Sequence, residues 1–163
     1  MLLYLLRHGD ADSSPLLADH ERPLSMRGQK EIEGVARFLA VSKTTISLIV
    51  SSPLLRAQES SAIIQQSLQN AEILTSDSLV PGSNPTKLFV ELSSRAEPAV
   101  LLVGHEPLLS VLISILISGS DASHIELKKG SLVCLAVQKP LQGGAGVLRW
   151  VLPVSFMQLA TGP

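Results

Sequence analysis

Two arginines and two histidines in this chain are of the types that handle phosphate, and each follows an apolar run. Arg7 and His8 come directly after "LLYLL" (Leu2–Leu6) and precede Gly9. Arg56 lies four residues beyond "ISLIVSS" (Ile46–Ser52), and His105 follows "AVLLVG". A transferring phosphoryl group spreads negative charge over its equatorial oxygens. Arginine offers planar, permanently charged, bidentate donors for those oxygens. A neutral imidazole can attack phosphorus and form a covalent phosphohistidine. A second imidazole, when protonated, can stabilise the charge on the group in flight. Gly9, lacking a Cβ, would let the backbone approach a ligand closely. Taken singly, each residue has an ordinary reading: a histidine at a strand end is often structural, and Arg56 could pair with Glu59 on a helix surface.

The elements that carry these residues join them. "LLYLL" reads as a central strand buried on both faces. Residues 9–24 are polar, with Pro15 and Pro23, and read as a loop. Ser25 looks like an N-cap, and Ile32, Val35, Ala36 and Leu39 then recur at the spacing of one helix face. Ile46–Ser52 is a second strand. Ser52 and Pro53 sit where an N-cap and a first-turn proline belong, and the helix after them runs to about Leu68, with Leu55, Ala62, Ile63 and Gln66 along its stripe. "AEILT" is a short third strand, and Asn84-Pro85 opens a helix to about Ser93. Ala99–Val103 is another buried strand. "PLLSVLISILIS" (Pro107–Ser118) is an apolar helix too short to span a bilayer. "SLVCLAV" and "VLRWVLP" are two late strands joined by the glycine-rich loop "QKPLQGGAG", which links strand to strand and so suits a hairpin better than a phosphate cradle.

Strands alternating with helices imply an α/β fold with a mostly parallel sheet covered on both faces. Ligands of such folds bind outside the carboxyl ends of the strands. Arg7-His8, Gly104-His105 and Ser51-Ser52 ahead of Arg56 are all placed there.

Composition sets the surroundings. The 163 residues fit one domain spanning 1–163. With 45% hydrophobic residues the chain has enough apolar surface to fold compactly. A net charge of -1 gives no general attraction to nucleic acid or to anionic membrane, so an anion site must be a local cluster of cations. The one cysteine, Cys134, reads as a buried small hydrophobe and suits a reducing cytoplasm. Arg7 and His8 interrupt the only apolar candidate for a leader, so no signal peptide is expected.

Four segments, in order, resemble the histidine phosphatase superfamily, the phosphoglycerate mutase-like group that includes acid phosphatases. They are "LLRHGDA", "RPLSMRGQKE", "IVSSPLLRAQESS" and "LLVGHEPLLS". The resemblance is narrowest to the small SixA-like phosphohistidine phosphatases, and it covers essentially the whole chain. It implies a three-layer α/β/α sandwich and a two-step, metal-free and cofactor-free hydrolysis. His8 is then the nucleophile, with Arg7, Arg56 and His105 catalytic around the phosphate. Gly9 and Arg22 join Arg7, Arg56 and His105 as phosphate-binding residues. The implied partner is a histidine-phosphorylated phosphotransfer protein. A metal site from His8, Asp10, Asp12 and His105 is disfavoured, because an arginine beside the ligands repels a cation.

The pattern departs from larger members at the carboxylic acid that protonates an alkoxide leaving group. Asp77, in "TSDSLVPGSNP", and Glu106, directly after His105, are the candidate general acids. Glu106 also fits the start of a helix, where an acid suits the dipole. Imidazole leaves more readily than an alkoxide, so a missing acid fits a phosphohistidine substrate. The alternatives are a phosphatase of a small phosphomonoester, with Glu106 or Asp77 as acid, and a binding module that holds phosphate without turnover.

Overall fold

The computed structural model of the protein describes residues 1–68 and 71–161. Among them six strands form one sheet: β1 (Leu2–Arg7), β2 (Leu48–Ser51), β3 (Glu72–Thr75), β4 (Ala99–Gly104), β5 (Leu132–Val137) and β6 (Gly146–Leu152). Their order across the sheet is β3-β2-β4-β1-β5-β6. The β3–β2, β2–β4 and β4–β1 pairs are parallel, and the β1–β5 and β5–β6 pairs are antiparallel. The helices are α1 (Met26–Val41), α2 (Leu55–Ser67), α3 (Pro85–Ser93), α4 (Leu108–Ser118) and α5 (Val154–Thr161).

Alternation along the central strands divides the core into two apolar layers. Leu3, Leu5, Val50, Val100 and Leu102 pack with Leu88 and Leu92 of α3 and Leu112 and Leu116 of α4. Tyr4, Leu6, Ile49, Leu101 and Val103 pack with Ile32, Val35 and Leu39 of α1, Ile64 of α2 and Met157 of α5. These are the three layers that the sequence implied. No helix of the described residues is long and apolar enough to cross a membrane.

Register brings the chemistry together. Arg7 pairs with Gly104 and Ser51 with Val103. The adjacent amides continue the ladders, His8 N–H donating to the Gly104 carbonyl (3.2 Å) and Ser52 N–H to that of Val103 (3.0 Å). Three strand ends are thereby flush along one edge. Ser25 caps α1 as expected, its hydroxyl accepting from Gly28 N–H.

Two local expectations are corrected. Helix α2 starts at Leu55 rather than directly after Ser52 and Pro53, and its cap position, Leu54, has no side-chain cap. The Ser52 hydroxyl accepts from Leu54 N–H (3.4 Å), ahead of the helix, and bonds His105 Nε2 (2.8 Å). The buried face of α2 is Ala57, Ser60, Ser61 and Ile64, not the stripe of Leu55, Ala62, Ile63 and Gln66. Ser60 and Ser61 tolerate burial because their hydroxyls bond back to the carbonyls of Arg56 and Ala57 (2.7 and 2.9 Å). Helix α5 carries no strong sequence signal, being short and without acidic or basic end residues. It is held against α1, where Gly34 leaves room for Gln158.

Candidate active site

His8 sits one residue beyond β1, 7% exposed. Its Nδ1 lies 2.6 Å from the Gly9 carbonyl, which can only accept, so Nδ1 carries the proton. The neutral ring then leaves its lone pair on Nε2. Arg56 confirms that assignment, because its Nε–H donates to His8 Nε2 at 3.2 Å. The free-base nitrogen is already oriented by a guanidinium suited to a phosphoryl oxygen.

Arg56 is buried and does not pair with Glu59, whose carboxylate accepts from Leu24 N–H. Its Nη1 donates to the Asp19 carbonyl (2.6 Å) and its Nη2 to the Asp19 carboxylate (3.0 Å). The other oxygen of that carboxylate accepts from Arg22 Nη1 (3.1 Å), while Arg22 Nε donates to the Asp12 carbonyl (2.5 Å). The pairing of Arg22 with Asp19 and its place beside the phosphate candidates are thus compatible. Arg7 Nη1 donates to the Leu127 carbonyl (2.6 Å), and its buried Nε has no partner among the described residues. An unpaired buried donor is costly unless a ligand takes it.

His105 is 2% exposed and packs against His8, with ring centroids 4.8 Å apart. Its Nε2 is 2.8 Å from the Ser52 hydroxyl. Burial pushes the His8 imidazole down to about 4; the Gly9 hydrogen bond opposes it, and the charges of Arg56, Arg7 and Lys129 add to the lowering. Burial, followed by His8 and Arg56, takes His105 down to about 3. Both rings are neutral near pH 7. His8 is therefore ready to attack, and His105 becomes cationic only if a bound dianion offsets its surroundings.

Arg7, His8, Arg22, Arg56 and His105 line one cavity of about 230 Å³, together with Glu106 and Lys129. Glu106 precedes the first turn of α4, as its helix-start reading requires, yet it also reaches the cavity. Its Oε2 accepts from the Ser110 hydroxyl (2.5 Å), and its Oε1 is buried without a partner among the described residues. Asp77 is exposed on a 3-10 turn and is not among the lining residues, where Pro81 represents its loop instead. Gly9 is not among the lining residues, and a Cβ there would stand 2.6 Å from the Gly28 carbonyl oxygen of α1. Its missing side chain serves the approach of α1, and its carbonyl sets the His8 tautomer. Asp10 is held by Lys129 and Ser25, and Asp12 accepts from Ser14 N–H, so the set His8, Asp10, Asp12 and His105 is not assembled.

Sequence reasoning missed the Arg56–Asp19 pair, Lys129 and the Ser52–His105 bond. Lys129 had one available signal. It stands just before β5, and the start of an antiparallel strand lies at the same sheet edge as the ends of its parallel neighbours.

Known proteins share this fold. The sequence profile of the histidine phosphatase superfamily (branch 1) matches residues 3–80. An uncharacterised protein of Picosynechococcus sp. is 30% identical over 140 residues, 83% of this chain and 84% of that protein. The phosphohistidine phosphatase SixA of Escherichia coli is 24% identical over 98% of both chains. The structure of the protein histidine phosphatase SixA complexed with tungstate superposes with a TM-score of 0.86, at 23% identity, over 95% of this chain and 98% of that one. With that profile match and these relatives, the chain belongs to the histidine phosphatase superfamily and is similar to its SixA members.

Proposed function

We propose that this protein hydrolyses phosphate from a histidine of a phosphotransfer protein, through a phosphohistidine formed on His8. The observation that carries the reading is the free-base Nε2 of His8, fixed by the Gly9 carbonyl and faced by Arg56. The Nε2 lone pair forms a bond to phosphorus as the P–N bond to the substrate imidazole breaks; that imidazole carries a proton on its other nitrogen, so it leaves neutral and keeps the electron pair. Water then attacks phosphorus, the P–Nε2 bond returns its pair to His8, and inorganic phosphate departs. Arg7, Arg22 and Arg56 hold the equatorial oxygens, and His105 shares that role once the dianion is bound. These cations supply the charge stabilisation that a metal supplies elsewhere, so the proposal includes metal independence.

Size supports the protein substrate. A cavity of about 230 Å³ is smaller than the roughly 300–1,000 Å³ usual for small-molecule sites. It grips a phosphoryl group and leaves the bulk of the substrate outside. We place the reaction, in a single domain, in the cytoplasm, the setting that suits the free buried thiol of Cys134.

The test is phosphate release from a histidine-phosphorylated phosphotransfer domain and from p-nitrophenyl phosphate, side by side, in EDTA. Wild type should prefer the phosphoprotein, and His8→Ala should lose roughly 10⁴-fold or more. Full activity in His8→Ala would sink the mechanism, and loss in EDTA restored by a divalent ion would sink metal independence. The unpartnered Oε1 of Glu106 favours one second reading, in which a small alkyl phosphate is cleaved with Glu106 as general acid. Glu106→Gln would then slow an alkyl phosphate far more than the aryl ester.

A further inference from the structure

Lys129 lines the same cavity as the nucleophile but belongs to none of the motif segments. Its backbone is built onto the nucleophile strand. Gly130 N–H donates to the Arg7 carbonyl (3.0 Å), Arg7 N–H donates to the Ser131 carbonyl (3.2 Å), and the Leu127 carbonyl takes Arg7 Nη1 (2.6 Å). Gly130 has φ +71, a conformation that favours glycine, and so turns the chain into β5 immediately after the lysine. The neighbouring Lys128 is exposed and does not line the cavity, so the placement is particular to Lys129.

The ammonium is also restrained. Lys129 Nζ donates to Asp10 Oδ1 at 2.5 Å, and Asp10 Oδ2 accepts from the Ser25 hydroxyl (2.8 Å) at the α1 N-cap. Lysine and aspartate are 38% and 28% exposed at their side chains, so the pair lies where a ligand can reach it. The positive charge of Lys129 is also close enough to His8 to help keep that imidazole neutral.

We propose that Lys129 is a further phosphate-binding residue, an ammonium that leaves Asp10 to contact the substrate's phosphoryl oxygens. The inference rests on the reading that this cavity takes a phosphoryl group. It deepens that reading by adding a cation from β5's side of the sheet, opposite the side from which Arg56 enters. Asp10 is then a competitor for the ammonium as well as its tether. The two partners should consequently act in opposite directions on phosphate affinity.

The experiment measures inorganic phosphate as a competitive inhibitor of p-nitrophenyl phosphate hydrolysis, and its direct binding by calorimetry, in wild type, Lys129→Met, Lys129→Arg and Asp10→Asn. Loss of one charge-assisted contact predicts about tenfold weaker phosphate binding in Lys129→Met. KM should rise more than kcat falls. Lys129→Arg should stay within about threefold of wild type, and Asp10→Asn should bind phosphate severalfold tighter. Equal weakening in Lys129→Met and Asp10→Asn, with matched losses of melting temperature, would show a structural clamp and overturn the proposal. So would unchanged phosphate affinity in a folded Lys129→Met. Failure of wild type itself to bind phosphate or turn over either substrate would instead overturn the underlying reading of the cavity.

Discussion

Replacing Arg56 with methionine removes the guanidinium while keeping most of the apolar stem. Three donor bonds disappear: Nε to His8 Nε2, Nη1 to the Asp19 carbonyl and Nη2 to the Asp19 carboxylate. The phosphoryl group loses a bidentate charged donor, worth about 1.5–3 kcal/mol for each bond. Two such bonds give about 3–6 kcal/mol, or a loss of roughly 10²–10⁴ in kcat/KM. Stability should change less. The Asp19 side chain is 62% exposed, so its released carboxylate is hydrated, and the loss is that of hydrogen bonds from a buried guanidinium, about 1–3 kcal/mol. The charge of Arg56 lowers both His8 and His105, so both imidazoles should titrate higher in the variant. Burial is the first cause at each and persists, so both should stay below the ordinary value of 6.5. Steady-state kinetics on p-nitrophenyl phosphate and NMR titration of the histidine ring protons test the two parts together. A variant within tenfold of wild type, with unmoved histidines, would refute the placement of Arg56 at the nucleophile.

Two further outcomes follow from the same coordinates. Acid should destabilise the protein from pH 6.5 downward, because the unfolded histidines take up protons that buried His8 and His105 refuse until about 4 and about 3. The slope is up to about 1.4 kcal/mol per pH unit for each histidine. The carboxyls of Asp10 and Asp19, both held low, add to the loss only at lower pH. Denaturant melts between pH 7 and 4 measure this, and an unchanged slope in the His8→Gln, His105→Gln double variant would contradict it. Gly28→Ala should destabilise even though alanine is the better helix former by about 1 kcal/mol. The new Cβ would fall on the Asp10 carbonyl oxygen, a backbone atom that cannot swing aside. Overpacking of about 1–3 kcal/mol or more should win and lower Tm by several degrees. An unchanged Tm would show that α1 can move away from the nucleophile loop without cost.

The sequence alone determined the six strands, helices α1 to α4 and the three arginines of the site. Apolar runs as short as "LLYLL" and "AVLLVG" read as strands buried on both faces by their length, whereas the longer run Pro107–Ser118 reads as a helix. The ordered arrival of Arg7-His8, Arg56 and His105 after such runs made an anion site legible, since strand ends of a parallel sheet share one edge. Tertiary structure decided the rest. Which face of α2 is buried depended on what packs against it, and small residues with back-bonded hydroxyls were chosen over the larger ones at Leu55 and Ile63. The tautomer of His8 depended on the Gly9 carbonyl, and the neutrality of both imidazoles on burial that no local pattern encodes. Asp19 and Lys129 reach the site from an irregular loop and from the start of an antiparallel strand. Their roles come from contacts between residues 37 and 119 positions apart along the chain, a separation at which only the folded backbone, not periodicity, decides who meets whom.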